Sequence, residues 1–205
     1  IAALVVLVFY PIFEIAALPS YNDDQGRCVI TDFSFNRIDQ FNYTEDLQYP
    51  LLDDAEGVSL ERLSFNRTTQ DNTNWHSAAQ SAGYATPGYK NSQYVDNADA
   101  SSELTISPEL FSPDNDGYND VINFSVNMNV NGYVLNADVY NEDGRLIKKL
   151  AKSKLLAPQD AFSWDGITDD NDKAPVGIYI LYAETFNPTG DIKKFKKAFV
   201  LATKL

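Results

Sequence analysis

The sequence predicts an all-β protein built as two sandwich domains in tandem, and three observations carry that reading. The composition is that of strands: twelve Tyr, twelve Phe and plentiful Val and Ile, set in short runs bounded by Asn, Asp, Gly and Pro. Helical periodicity is scarce, and its best candidate, Arg145 to Leu156, follows "NEDG" and precedes Pro158. A polar stretch, "YVDNADASS" from Tyr94 to Ser102, has no apolar pattern and divides the 205 residues into parts of similar size. Domains are expected over residues 1–93 and 103–205, with 94–102 as the linker, each part long enough to bury its own core.

In the first part, strands are expected at Val5–Phe9, Arg27–Asp32, Arg37–Tyr43 and Gly57–Ser64. The opening "IAALVVLVFYPIF" is apolar for ten residues before Pro11 and reads as buried strand, with the core of a trimmed signal as the alternative. A membrane helix needs about 20 consecutive apolar residues, so this run is too short to span, and it lacks the basic leader of a secretory signal. With no initiating Met, the chain is read as a processed or truncated piece of something longer. In the second part, strands are expected at Leu104–Ile106, Val121–Val126, Val134–Tyr140, Arg145–Leu150, Phe162–Trp164, Gly177–Phe186 and Lys193–Leu201. Asp143-Gly144, between "VLNADVY" and "RLIKKL", is the strongest hairpin signal in the chain. Seven short strands in about a hundred residues suit a Greek-key sandwich of immunoglobulin type. The tetrapeptide "SFNR" occurs at Ser34–Arg37 and Ser64–Arg67, and two copies do not make a repeat array.

The net charge of −13 argues against a nucleic-acid ligand, because phosphate binding needs a basic face. The charge is unevenly placed, since residues 191–205 alone carry +4 and hold five of the sixteen basic side chains. Lysines on an edge strand guard against aggregation, and a basic strand ending an acidic chain equally suits docking by charge contrast. One cysteine, Cys28, excludes an intrachain disulfide and any multi-cysteine zinc site. It lies in a predicted strand, where a free cysteine packs as a small apolar residue. One histidine, His76, adjoins Ser77, but neighbours on an extended strand point to opposite faces, whereas a nucleophile and its base must lie within hydrogen-bond reach. No "GxSxG" elbow occurs. Acidic pairs such as Asp23-Asp24, Asp53-Asp54 and Asp169-Asp170 fall where turns are expected, and Asp favours turns by bonding its own backbone. No enzyme activity is expected.

"FSPDNDGYND", Phe111 to Asp120, is the densest candidate site. It fails as an EF-hand: counting from Asp114, position 3 is Asp116, but Gly117 falls at 4 and Ser125 at 12. Two readings stay open: an Asx-rich turn, or a looser calcium site with Asp114, Asp116 and Asp120 converging and "DDNDK" (Asp169 to Lys173) helping to complete six to eight oxygens.

Taken together, "FSPDNDGYNDVINFSV", "LNADVYNEDGRLIKKL", "FSWDGITDDNDKAPVGIYIL" and "KKAFVLATKL" resemble the C-terminal sorting domains of type IX secretion cargo, and the immunoglobulin-like domain of flagellar hook-capping proteins. The pattern is carried by Ser112-Pro113, Asp116-Gly117, Asp120, Val139-Tyr140, Asp143-Gly144-Arg145, Trp164-Asp165-Gly166 and Gly177-Ile178-Tyr179. Upstream, Glu56–Arg62, Trp75–Ala79 and Thr86-Pro87-Gly88 resemble a bacterial lamin-tail domain, also an immunoglobulin-like sandwich. The resemblance implies the non-catalytic C-terminal region of a Gram-negative secreted or cell-surface protein. It implies partners too: the outer-membrane translocon of the type IX system, with its shuttle and attachment components. Carried over by position, translocon recognition would fall on Gly177, Tyr179, Lys193, Lys194, Phe195, Lys196, Lys197, Phe199 and Leu201. The competing class is a calcium-stabilised extracellular binding or adhesion module, and a third is the accessory domain of a secreted hydrolase.

Overall fold

The computed structural model describes residues 20–94, 102–128 and 130–203. The expected strand at Val5–Phe9 and most of the expected linker lie outside these residues. The described chain is all-β, as the composition predicts.

In the first part, β1 (Gln25–Thr31) and β2 (Arg37–Thr44) form an antiparallel hairpin, and β3 (Leu60–Arg62) pairs with β4 (Trp75–Ser77). The expected strand Gly57–Ser64 is trimmed at both ends for local reasons. Gly57 takes a left-handed φ of 74°, with Val58 N–H closing a turn onto Ala55. At the other end, the Asn74 side chain accepts from Ser64 N–H at 2.9 Å and donates to the Ser64 carbonyl at 3.0 Å, taking the backbone out of the ladder.

The second part is a two-sheet sandwich. Its smaller sheet has the order β10-β7-β5 (Gln159–Trp164, Ile122–Asn127, Glu103–Ser107). The larger runs β6-β12-β11-β8-β9 (Leu110–Phe111, Ile192–Leu201, Gly177–Phe186, Val134–Asn141, Leu146–Leu155). Alternation along each strand sends one set of side chains inward. Thus Leu104, Ile122, Phe124, Val126, Trp164, Tyr179, Leu181 and Phe199 meet in one buried cluster. Each large apolar side chain withdrawn from water in this way contributes about 1.5–3 kcal/mol. Asp143-Gly144 makes the β8–β9 turn as predicted, with Gly144 at φ 79° and its N–H on Asn141.

The two parts touch. Tyr49 packs with Val134 and Leu155, flanked by Leu51, Leu52 and Phe186. Three polar links join the same seam: Tyr49 OH to the Gly132 carbonyl at 2.7 Å, Gln93 Nε2 to the Leu156 carbonyl at 3.1 Å, and Ser81 Oγ to Asp160 Oδ2 at 2.8 Å. Asp160 also meets Lys154 Nζ at 3.2 Å and accepts from Ala157 N–H, so its buried charge is compensated on all sides.

Candidate functional site

The hairpin β11–β12 carries all nine residues expected to meet a translocon: Gly177, Tyr179, Lys193, Lys194, Phe195, Lys196, Lys197, Phe199 and Leu201. It pairs over ten continuous rungs, from Gly177↔Leu201 to Phe186↔Ile192. Its turn is closed by Asn187, whose Oδ1 accepts from Thr189 and Asp191 N–H at 3.1 and 2.9 Å, with Gly190 left-handed. Alternation then sorts the expected recognition residues into two groups. Tyr179, Phe199 and Leu201 are buried in the sandwich, and Phe195 packs partly against the same core. Lys194, Lys196 and Lys197 are exposed, while Lys193 is half-buried. Of this set, Lys194, Lys196 and Lys197 are therefore the side chains most open to a partner; Tyr179, Phe199 and Leu201 hold the strand in place.

Two of the other pattern segments, Ser112-Pro113 and Trp164-Asp165-Gly166, converge on β12, whereas Val139-Tyr140 and Asp143-Gly144-Arg145 belong to β8 and its turn into β9. Trp164 lies 5.9 Å from Phe199, 5.2 Å from Tyr179 and 5.7 Å from Phe111, and its Nε1–H donates to the Ile167 carbonyl at 2.8 Å. Asp165 caps the same turn by accepting from Ile167 N–H at 3.0 Å. Gly166 sits at φ 79°, and a Cβ there would come within 2.9 Å of Pro113 Cγ and 3.1 Å of Leu201 Cδ1. Ser112-Pro113, Trp164-Asp165-Gly166 and the end of β12 thus form one joint. β6 completes it by running parallel to β12 at Val200 and Leu201, with Val200 N–H on the Glu109 carbonyl and Ala202 N–H on that of Phe111.

At its other end β12 is held by charge. The Tyr133 hydroxyl donates to Asp191, and burial together with that carboxylate pushes the phenol up to about 12, so it remains a donor. Lys193 Nζ lies 5.0 Å over the Tyr133 ring and 3.8 Å from Asp191. Lys194 Nζ meets Glu184 of β11 at 3.2 Å, and the hydrogen bond and charge of that carboxylate raise the ammonium above its ordinary value.

The loop Phe111–Asp120 brings Asp114, Asp116 and Asp120 together, with ligand oxygens within 4.8 Å of one another. Each also serves the loop itself. Asp120 accepts from Asn115 and Gly117 N–H at 2.6 and 2.9 Å, Asp116 from Tyr118 N–H at 2.8 Å, and Asp114 from Asp116 N–H at 3.2 Å. The second acidic loop does not join them: Asp169 turns to β9, accepting from Lys149 N–H and lying 3.5 Å from Lys148 Nζ.

His76 and Ser77 are committed to structure. The Ser77 hydroxyl donates to Gln48 Oε1 at 2.5 Å and accepts from Tyr49 N–H at 2.8 Å. The His76 ring lies 5.0 Å from that of Tyr49, with Nδ1 2.9 Å from the Ser77 carbonyl. Cys28 faces a cavity of about 1230 Å³ among the described residues of the first part, shared with Phe41, Tyr43, Leu60 and Trp75.

No family model and no curated protein matches the chain. Among solved structures it is similar to FlgD from P. aeruginosa, at 22% identity over 40% of this chain and 62% of that one, with a TM-score of 0.33. FlgD from Xanthomonas campestris gives 21% over 40% and 57%, with a TM-score of 0.32. Dimeric latent PorU from Porphyromonas gingivalis gives 18% over 54% of this chain and 10% of that one, with a TM-score of 0.39. The chain spans less than two thirds of each of these proteins, and at such overlap they add nothing to the geometry above. No helix among the described residues is long and apolar enough to cross a membrane.

Proposed function

We propose that this chain is the non-catalytic, surface-presenting end of an exported protein, in two tandem domains, and that its second sandwich is a folded export signal read by the type IX outer-membrane translocon. The carrying observation is the position of β12. Four residues of the sorting-domain pattern, Pro113, Trp164, Gly166 and Tyr179, pack to hold this one strand, while Lys194, Lys196 and Lys197 are exposed. A signal that must be read on a folded domain needs this separation, with burial fixing the strand and exposed charge meeting the receptor.

Deleting residues 193–205 would be an ambiguous test, because Phe199 and Leu201 leave the core with the lysines. The clean variant is Lys196→Glu with Lys197→Glu, both at exposed positions. In a type IX host the folded variant is expected to accumulate in the periplasm. Export equal to the parent, with unchanged circular dichroism, contradicts the reading.

A second reading, a calcium-stabilised extracellular module, is favoured by the meeting of three carboxylates in one loop. Asp114, Asp116 and Asp120 would be the ligands, and carbonyls or waters would have to supply the remaining oxygens. Bound calcium would stabilise by mass action. EDTA is then expected to lower Tm in the parent and to leave Asp116→Ala unaffected; equal melting of the parent with and without EDTA excludes this reading.

A further inference from the structure

Sheet order leaves most of β12 unpaired on one side. Among the described residues, β11 covers one side over ten rungs, whereas β6 covers the other only at Val200 and Leu201. The direction of the open groups follows from the joint with β6. Val200 N–H points to Glu109, away from β11, and the β11–β12 register has no bulge. By alternation, the backbone N–H and C=O groups of Ile192, Lys194, Lys196 and Ala198 point the same way. Among the described residues that leaves a free edge of about seven residues, roughly 20 Å long at about 3.3 Å per residue.

Lysines flank this edge on both faces. Lys194 and Lys196 stand on the outer face of the sheet, and Lys193 and Lys197 on the side of Phe195 and Phe199; Lys193 and Lys194 already face Asp191 and Glu184, so the charge contrast rests on Lys196 and Lys197, one on each face. Two copies joined edge to edge would set these rows against each other, and like charges directly opposite are destabilising. An acidic strand meets the reverse situation, with its carboxylates between lysines on either face.

We propose that the free edge of β12, from Ile192 to Ala198, docks an acidic extended segment of a partner protein, which adds to the five-stranded sheet as a further strand. The main-chain bonds give the affinity and the lysines select the sign of the incoming charge. The inference rests on the export-signal reading for the partner's identity alone; the edge and its chemistry stand without it.

The test uses amide hydrogen exchange by NMR on the 205-residue protein, with a seven-residue peptide alternating Glu and Val and a control alternating Lys and Val. The Glu peptide is expected to slow exchange at Lys194, Lys196 and Ala198 by at least about tenfold, and the Lys peptide to leave it unchanged. Lys196→Pro removes an outward N–H at a place where an edge strand tolerates proline, and should abolish the slowing. Lys196→Gln should retain part of it. The amides of Lys193 and Phe195, which face β11, report that the fold is intact. Slow exchange of Lys196 and Ala198 in the free protein, equal effects of the two peptides, or unchanged protection in Lys196→Pro each overturns the proposal. Failure of the export reading looks different: Lys196→Glu with Lys197→Glu would be exported normally while losing the Glu peptide.

Discussion

Gly166 shows how one position ties motif to function. Its left-handed φ and the approach of Pro113 leave no room for a Cβ, so Gly166→Ala is expected to cost about 1–3 kcal/mol in urea unfolding. Trp164→Ala removes the ring that touches Phe111, Tyr179 and Phe199 and should cost about 3–5 kcal/mol; a loss below 1 kcal/mol would mean that the joint does not hold β12. His76 offers a pH test. Burial lowers its pKa below the ordinary 6.5, against the opposing pull of the Ser77 carbonyl and Glu61. A histidine kept neutral by the fold contributes full stability above 6.5 and loses it as pH falls from there toward its lowered folded value, because the unfolded chain then binds more protons. Tm is expected to fall over that window in the parent, and His76→Asn to flatten that part of the profile.

Among the elements, those built by alternation were legible in the sequence. The expected strand Gly177–Phe186 matches β11 residue for residue, and the expected Val134–Tyr140 ends one residue before β8 does. Strand β9 runs past the expected Leu150 to Leu155, because Ser153, at φ 49° with its N–H on Asn136 Oδ1, absorbs an irregularity that polar composition disguised as an end. Two strands left no signal. β4 is a three-residue strand in a polar run, and β6 is two residues long and finds its partner about ninety positions away. The acidic cluster was legible because its members are close in sequence. Which lysines and aromatics of β12 face out followed only once the register was known. If EDTA lowers the Tm of Asp116→Ala as much as that of the parent, or changes neither, the loop is an Asx turn and nothing more.

For the whole molecule, the seam between the two parts was the least visible feature. Ser81 meets Asp160 across 79 positions and Gln93 meets Leu156 across 63, and no local pattern announces such pairs. The seam has a consequence: Asp160→Asn leaves Lys154 without its buried partner and should destabilise the protein by about 3 kcal/mol or more, since breaking one side of a buried pair strands the other charge. A folded sandwich that fixes β12 through Phe199 and Leu201 and leaves Lys194, Lys196 and Lys197 exposed is proposed to suffice for export. The most direct measurement fuses the 205-residue chain to an inert periplasmic reporter in a type IX host and follows the reporter by surface protease accessibility. The expected result is a surface-exposed reporter that returns to the periplasm when Lys196 and Lys197 are both changed to Glu; a reporter that stays periplasmic while the fused chain is folded contradicts the export proposal.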